Sequence, residues 1–538
     1  MKNISKIFVA ASLIVFASCD PEFDNPVDDI QPSSGIADFS RYVSLGNSLT
    51  SGFTDNALFI SGQQNSYPNM IAGRMALAGG GSFSQPLMPD DIGGFNGPSP
   101  IYADGRLSLI INPETGGLSP VPTAPQSPLT PASGGPFNNM GVPGAKSFHL
   151  VAPGYGNPAG VPAGLANPYF ARFASSPNAS ILGDAAAQGP TFFTLWIGNN
   201  DVLSYATGGG VGVDQTGNLD PSTYGPNDIT DPNVLGSVIQ NILETMVNQV
   251  GAKGAIANIP SVTDIPFFTT VPYAPLDPSN PAFAEQIPSL NQLYGLLNQI
   301  FVATGNSNRQ IVFSTSEASP VVIKDKTLSD IGPIITNAIL SNPDLSQYHP
   351  LAPMLGGLYG QIRQATSDDL MVFTSQTVIG KKPGDGVAYI DDPQNGILAQ
   401  LASTYGLPPQ AVAQFCVPGI TYPMADEWVL IPSEINSIVT ATNKYNTAIR
   451  QLAIDYNLAF VDANRAMQEL SSSSGITYFG NTYTTTYVSG GAFSLDAVHL
   501  TGKGYAVVAN YFIDAINFKY GSTLPNVNPN NYPGVIIP

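Results

Sequence analysis

The spacing of apolar residues along the chain predicts short strands separated by helices. Four runs have the composition of strands, at residues 42–45, 191–197, 254–259 and 458–461. The second run, Thr-Phe-Phe-Thr-Leu-Trp-Ile, is largely apolar and ends at a glycine. Uninterrupted apolar character of this kind is typical of a central parallel strand that is buried on both faces. We therefore expect a parallel sheet with the second run near its centre.

Apolar residues at helical spacing lie between these runs and after the last of them. Asp231 and the proline behind it form an N-cap and first-turn pair, and the apolar residues that follow repeat at helical spacing until Gly251. Similar patterns predict helices that begin after Ser66, over residues 435–452 and after Thr501. Strands and helices that alternate with short connections predict an α/β fold.

Two long stretches interrupt this alternation. Residues 79–137 show no lasting period and are dominated by Gly, Pro and Ser. Residues 260–432 contain helical patterns near 290–301 and 328–340 between many prolines and turns. We expect both stretches to be insertions into one domain that spans residues 39–520, the first over its surface and the second as an inserted subdomain.

The N-terminal residues have the features of an export signal. Lys2 and Lys6 precede an uncharged run over residues 7–18, which is too short to span a bilayer but suits a signal peptide. The sequence Phe-Ala-Ser-Cys that ends at Cys19 resembles the lipobox of bacterial lipoproteins, in which the cysteine carries the lipid. The resemblance implies a signal peptide over residues 1–18 and lipidation of Cys19. An ordinary signal peptide with an incidental cysteine is the alternative.

The segment after Cys19 is acidic. Residues 19–38 contain six Asp or Glu side chains and no basic one, a composition that cannot fold alone and predicts a tether. Acidic residues directly after a lipidated cysteine resemble the surface-export signal of Bacteroidota lipoproteins. This implies an exported protein that is lipid-anchored to the outer membrane, either at the cell surface or on the periplasmic side.

Charge and motif content narrow the range of partners. The chain has 38 acidic and 19 basic residues and a formal net charge of −19. This charge repels nucleic acid and anionic lipid, so we expect no nucleic acid as a partner and membrane contact only through the lipid on Cys19. The sequence has no phosphate loop, dinucleotide fingerprint or zinc-type His and Cys spacing, so no cofactor is expected. The acidic stretch over residues 214–231 could hold a calcium ion, but a solvated loop is the better interpretation.

Three histidines are available for acid–base chemistry: His149, His349 and His499. His499 follows Asp496 by three residues in a predicted loop before the final helix. One loop can therefore present a carboxylate to Nδ1 of the imidazole and leave Nε2 free. His149 and His349 have no carboxylate near them in sequence, and we interpret both as structural or surface residues.

A serine and two Gly-rich turns complete the pattern. Ser48 stands in Gly-Asn-Ser-Leu at the end of the first strand, where open α/β sheets bind ligands. Gly144, in Asn-Met-Gly-Val-Pro-Gly-Ala, can offer a backbone N–H, and Asn200, in Gly-Asn-Asn-Asp after the central strand, can offer an amide donor. Taken alone, Ser48 is better explained as an ordinary turn residue, and each of the other two segments can also be only a turn.

The order of these segments resembles that of the SGNH hydrolases, the GDSL esterase and lipase family. That family has a Gly-Asp-Ser-Leu turn, a glycine, a Gly-x-Asn-Asp turn and a C-terminal Asp-x-x-His. The resemblance implies that Ser48 is the nucleophile and that Asp496 and His499 form its base. It further implies an oxyanion hole made by Ser48, Gly144 and Asn200.

The same resemblance implies a fold, and the sequence departs from the family pattern at its nucleophile turn and in the size of its insertions, which have no counterpart in the family. The expected fold is a three-layer α/β/α, flavodoxin-like parallel sheet with long loop-rich insertions at about 79–137 and 260–432, followed by a C-terminal tail over residues 521–538. Asn47 stands where the family usually has aspartate, which puts the geometry of the nucleophile turn in question.

The sequence therefore predicts a serine esterase or acylhydrolase that cleaves carboxylic esters through an acyl-Ser48 intermediate. The turn lacks the second glycine of Gly-x-Ser-x-Gly, because position 50 is Thr, which argues against an α/β-hydrolase. The alternatives are a non-catalytic surface lipoprotein that binds a glycan or lipid, and an adhesion or assembly component. The ester substrate, an acylated carbohydrate or a lipid, is left open because the insertions would set selectivity.

Overall fold

The computed structural model of the chain describes residues 31–98, 101–111 and 116–538. The predicted signal peptide, the lipidation site at Cys19 and most of the predicted acidic tether lie outside the described residues. Within the described ranges, no helix combines the length and the apolar character needed to cross a membrane.

A five-stranded, all-parallel sheet forms the centre of the molecule. Its strands are β1 (Tyr42–Gly46), β2 (Asn139–Gly141), β3 (Phe192–Trp196), β4 (Lys253–Ala257) and β5 (Ala459–Val461). They lie in the order β5-β4-β3-β1-β2, which is the doubly wound order 2-1-3-4-5. All five residues of β1 and all five of β3 are buried, which confirms that the second apolar run is a central strand buried on both faces.

Helices flank the sheet in two groups. They are α1 (Tyr67–Leu77), α2 (Ile181–Ala187), α3 (Asn200–Thr207), α4 (Pro232–Leu243), α5 (Pro432–Asp455), α6 (Ala463–Ser471) and α7 (Gly502–Tyr520). The last helix, α7, packs against α1 and α6, whereas α5 packs against α3 and α4. Because crossovers between parallel strands are almost always right-handed, this strand order puts the two groups on opposite faces of the sheet.

The helix starts follow the predicted capping residues with one exception. The Asp231 carboxylate accepts the backbone N–H of Asn233 at 2.7 Å, and the Thr501 hydroxyl accepts that of Gly504 at 3.1 Å. Ser66 stands at the N-cap of α1, but its hydroxyl donates to Gln85 instead of capping the helix. After α4 the chain continues as a π-helix over Glu244–Gln249.

Residues 271–431 build a second hydrophobic core beside that of the sheet. Trp428 packs partly against both cores. The helical patterns near 290–301 and 328–340 correspond to helices in this region. Its main elements are the helices Ile287–Ala303, Gly332–Ser341, Ala352–Tyr359 and Ile397–Tyr405, and the antiparallel strand pairs Val322–Lys324 with Ile362–Gln364 and Leu370–Met371 with Val429–Leu430.

Outside the sheet and the second core, the described residues form two further pairs of short strands. Leu107–Ile111 pairs antiparallel with Leu118–Pro122 in the stretch after α1. Ile476–Tyr478 pairs with Asn481–Tyr483 and precedes the loop of the predicted Asp-x-x-His motif. The chain after α7 packs back on that helix, because Asn510 exchanges two hydrogen bonds with the backbone of Val527.

Candidate active site

The nucleophile candidate stands directly after β1. Ser48 is the first residue of a single helical turn, Ser48–Ser51, and is 7% exposed. Gly46 precedes it at a point of close approach, since a Cβ there would lie 2.1 Å from Thr50 Oγ1 and 2.5 Å from the carbonyl oxygen of Trp196. A glycine is therefore needed for the chain to turn sharply at this place.

Asn47 fastens the nucleophile turn to the segment after β3. Its side-chain oxygen accepts the backbone N–H of Leu49 at 3.1 Å, which caps the helical turn. Its amide nitrogen donates to Oδ1 of Asn199 at 3.2 Å. The departure from aspartate thus leaves the turn capped and tied to the Gly-Asn-Asn-Asp segment.

The loop before α7 places His499 between Ser48 and Asp496. His499 Nε2 lies 2.9 Å from Ser48 Oγ, and His499 Nδ1 lies 2.8 Å from Asp496 Oδ2. An ionised carboxylate only accepts, so Nδ1 carries the proton and Nε2 is the acceptor that faces the serine hydroxyl. The three residues that the sequence grouped by motif are therefore joined by one chain of hydrogen bonds.

Asp496 is buried but heavily hydrogen-bonded. Its Oδ1 accepts the backbone N–H groups of Val498 and His499, at 2.9 and 2.8 Å, and the hydroxyl of Ser494 at 3.0 Å. Burial alone would raise the pKa of this carboxyl group, but the facing His499 and these donors outweigh it and hold the pKa well below its usual range. Asp496 is therefore a carboxylate throughout the neutral pH range.

A tight turn far away in sequence supplies a further donor to Asp496. Thr54 and Ala57 exchange two backbone hydrogen bonds of 3.0 Å, and the two residues between them, Asp55 and Asn56, have φ values of 49° and 63°. Two successive positive φ angles define a type I′ turn, which favours Asn and Asp. The turn directs the backbone N–H of Asn56 to Asp496 Oδ2 at 2.8 Å. This turn was not predicted from the sequence, although adjacent Asp and Asn residues are a known sequence signal of a type I′ turn.

Residues of the long insertion brace the same loop. The N–H of Phe267 donates to the carbonyl oxygen of Ala497 at 3.0 Å, and Ala497 holds a φ of 63° between Asp496 and His499. The ring of Phe53, which follows the nucleophile turn, lies 4.6 Å from the imidazole of His499. The loop is therefore contacted both by the segment after β1 and by the insertion.

Three donors of the predicted oxyanion hole lie at the ends of neighbouring strands. Gly46 pairs with Gly141 of β2 and with Trp196 of β3, so the turns after the three strands begin at one edge of the sheet. Among the described residues, no acceptor is bonded to the backbone N–H of Ser48 or of Gly144. Asn200 Nδ2 donates to the carbonyl oxygen of Ala145 at 3.0 Å, which leaves its second hydrogen for a ligand.

A buried carboxylate joins two of these turns. Asp201 accepts the hydroxyl and the backbone N–H of Ser147, at 2.6 and 2.8 Å. Its burial raises its pKa, and the two donors offset part of that effect. The segment that carries Gly144 is thereby fixed to the start of α3, where Asn200 stands.

The other sequence candidates lie elsewhere. His349 is in the insertion, where its Nε2 lies 3.2 Å from the carbonyl oxygen of Asn342. In the acidic stretch, Asp228 and Asp231 accept backbone N–H groups of their own loop. The described part of the chain contains no group of three or more His, Cys, Asp or Glu side chains placed to hold a metal ion.

Asp55 makes folding stability depend on pH. Burial raises its pKa from 3.8 to about 6, and the charge of Asp496 adds to this, while the N–H of Leu495 opposes it. The folded state therefore binds more protons than the unfolded state between about pH 4 and 6, and stability falls as the pH rises through this window. The difference between the pKa values of Asp55 in the unfolded and folded states is worth ~3 kcal/mol of stability.

We expect Asp55→Asn to raise the free energy of unfolding by about 2 kcal/mol at pH 7.5 and to have almost no effect at pH 4. Asparagine tolerates the positive φ and can still accept from Leu495 N, so the removed charge is the main change. Urea unfolding of both proteins at the two pH values measures the difference. A stabilisation of equal size at both pH values would contradict the assignment of the pH dependence to the carboxyl group of Asp55.

Comparisons with known proteins assign no family or function to the chain. Searches with the chain against protein-family models, curated proteins and solved structures find no significant match in any of the three.

Proposed function

We propose that the chain is a serine ester hydrolase of the SGNH type, which cleaves carboxylic esters through an acyl-Ser48 intermediate. The observation that carries the proposal is the hydrogen-bonded chain from Ser48 Oγ through His499 to Asp496, with distances of 2.9 and 2.8 Å. The chain order of the Ser48, Gly144, Asn200 and Asp-x-x-His segments supports the family. A binding protein would have no need of an ionised carboxylate behind an imidazole that accepts from a serine.

The geometry supports a two-step acyl transfer. His499 Nε2 takes the Ser48 proton while Oγ attacks the ester carbonyl, and the resulting oxyanion accepts from Ser48 N, Gly144 N and Asn200 Nδ2. The imidazolium then gives its proton to the leaving alcohol, and the acyl group remains on Ser48. Water attacks the acyl-enzyme, His499 takes its proton, and the carboxylic acid leaves as Ser48 recovers its hydrogen.

The N-terminal residues support export as part of the proposal. The lysines, the short apolar run and the Cys19 motif fit a lipoprotein anchored to the outer membrane, with the lipid as its only membrane contact. The acidic residues after Cys19 favour a location of the anchored protein at the cell surface.

A fluorophosphonate probe tests the proposed nucleophile. Such probes phosphonylate a serine only when a base activates it, with loss of fluoride. The chain from Asp20 onward, produced without the anchor, should gain the mass of one probe group on the peptide that contains Ser48, and should hydrolyse p-nitrophenyl esters. Ser48→Ala is the control and should remain unlabelled. Folded wild-type protein that is neither labelled nor active on esters from acetate to palmitate would favour the glycan- or lipid-binding lipoprotein instead.

A further inference from the structure

A wide groove begins at the predicted oxyanion hole. It encloses about 900 Å³, and its wall starts at Gly144, whose backbone is exposed. Aromatic rings form much of the wall: Phe148 packs edge-on against Tyr224 at 5.9 Å, and His149 stacks on Tyr155 at 4.3 Å with an interplanar angle of 10°. Gly144 belongs to both, so the groove adjoins the predicted oxyanion hole.

His149 in this groove is held in one protonation state. Its Nδ1 accepts the backbone N–H of Lys146 at 3.0 Å, so Nδ1 is unprotonated and the single proton of the neutral ring is on Nε2. Burial, and to a lesser degree the charge of Lys146, lower the pKa of His149 to about 4. The ring therefore presents an Nε2–H donor throughout the neutral range, and it cannot act as a base there.

The Nε2–H of His149 has no protein partner among the described residues. Other polar side chains of the groove are occupied: the Asn167 amide donates to Pro143 O and Tyr155 Oη, and the Ser204 hydroxyl donates to Asn200 O. Lys146 is also occupied, since its ammonium group donates to the carbonyl oxygen of Asp228 at 2.8 Å. The groove thus offers apolar and aromatic walls, the Nε2–H of His149 and the hydroxyl hydrogen of Tyr155 as donors, and the buried ammonium group of Lys146, which donates to a backbone carbonyl.

These properties select among ester substituents. An alkyl chain lying over His149 would leave its Nε2–H buried without an acceptor, at a cost of about 1–3 kcal/mol. A cationic group would lose hydration without gaining a counter-ion, because no carboxylate among the described residues lines the groove. A neutral sugar satisfies both conditions, because its hydroxyl and ring oxygens accept hydrogen bonds and its C–H faces pack on aromatic rings. Pockets of roughly 300–1,000 Å³ hold ligands of such a size.

We propose that His149 is a specificity-determining residue, whose Nε2–H donates to an oxygen of a neutral sugar that forms the alcohol part of the ester substrate and lies in the groove beside Gly144. This inference rests on the proposed esterase function. It assigns a role to a histidine that the sequence pattern alone marks as structural.

The test compares two substrates in three proteins. Hydrolysis of an O-acetylated xylo-oligosaccharide and of p-nitrophenyl acetate is measured in wild type, His149→Phe and His349→Phe. Phenylalanine keeps a flat ring against Tyr155 and removes both ring nitrogens. The loss of the Nδ1 acceptor of Lys146 N acts on both substrates alike, whereas the loss of the Nε2–H acts on the oligosaccharide alone. We expect His149→Phe to lower the ratio of kcat/KM for the oligosaccharide over that for p-nitrophenyl acetate by about tenfold, mainly through KM. His349→Phe, which removes a histidine of the insertion, should leave the ratio unchanged.

A binding measurement separates this proposal from the esterase proposal. In Ser48→Ala protein with ¹⁵N-labelled histidine, the His149 ring should show the Nε2–H tautomer, and deacetylated xylo-oligosaccharide should shift that signal. An unchanged ratio in His149→Phe, or no shift of the His149 signal, overturns the sugar site even if ester hydrolysis persists. Equal hydrolysis by wild type and Ser48→Ala on both substrates overturns the esterase proposal itself.

Discussion

Replacement of Asp496 by asparagine is expected to lower kcat by about 10⁴ with little change in KM. In a serine protease triad this change leaves the geometry intact and has an effect of about that size, because the imidazole is held in the wrong tautomer. Here the backbone N–H groups of Val498 and His499 keep the amide oxygen at the Oδ1 position. The amide nitrogen must then take the Oδ2 position, where it faces Nδ1 of His499 and the N–H of Asn56.

An amide nitrogen at that position cannot accept from Nδ1, so the imidazole proton moves to Nε2 and the Ser48 hydroxyl loses its base. Steady-state kinetics on p-nitrophenyl acetate measure the loss. Asp231→Asn is a matched control, because Asp231 is also buried and both of its oxygens accept backbone N–H groups, one at the cap of α4 and the other from Gly217. A decrease of less than about tenfold in Asp496→Asn would mean that His499 is oriented by another group.

The sequence predicts the longer buried strands of the sheet, because such strands are recognisable from their apolar composition alone. The run that becomes β3 is buried at all five positions, so its apolar character is visible without knowledge of its neighbours. In contrast, the sequence predicts a turn at β2, and that prediction is incomplete. Its three residues, Asn-Met-Gly, are too few to show a period, and they form a strand only because they pair with Ser44–Gly46 of β1.

The same distinction applies to the site. Ser48, Asp496 and His499 stand in local motifs, and the structure brings them together. Asn56 acts on Asp496 from 440 residues away in sequence, so no local pattern could connect the two. His149 is a similar case, since its tautomer is set locally by Lys146 but its place in a groove depends on loops after β2 and before α4. Long-range contacts of this kind follow from the tertiary fold alone.

Removal of the Asn200 side chain is expected to lower kcat on p-nitrophenyl acetate by about 10²–10³, as for loss of one oxyanion donor in other acyl-transfer enzymes. The amide matters most in the transition state, when the carbonyl oxygen gains charge, so KM should change much less than kcat. Asn200→Ala also removes the 3.0 Å bond to the carbonyl oxygen of Ala145, which steadies the Gly144 turn.

Two measurements separate the loss of the donor from a loosened turn. Thr207→Ala removes another side-chain hydrogen bond of the same helix, from Thr207 Oγ1 to Leu203 O at 2.9 Å, and should keep kcat within twofold of wild type. A fluorophosphonate probe should still label Ser48 in Asn200→Ala, because Ser48 and His499 are untouched. Full loss of labelling would show that the variant disturbs the nucleophile itself. An unchanged kcat would exclude Asn200 from the oxyanion hole, and the backbone N–H groups of Ser48 and Gly144 would then be its donors.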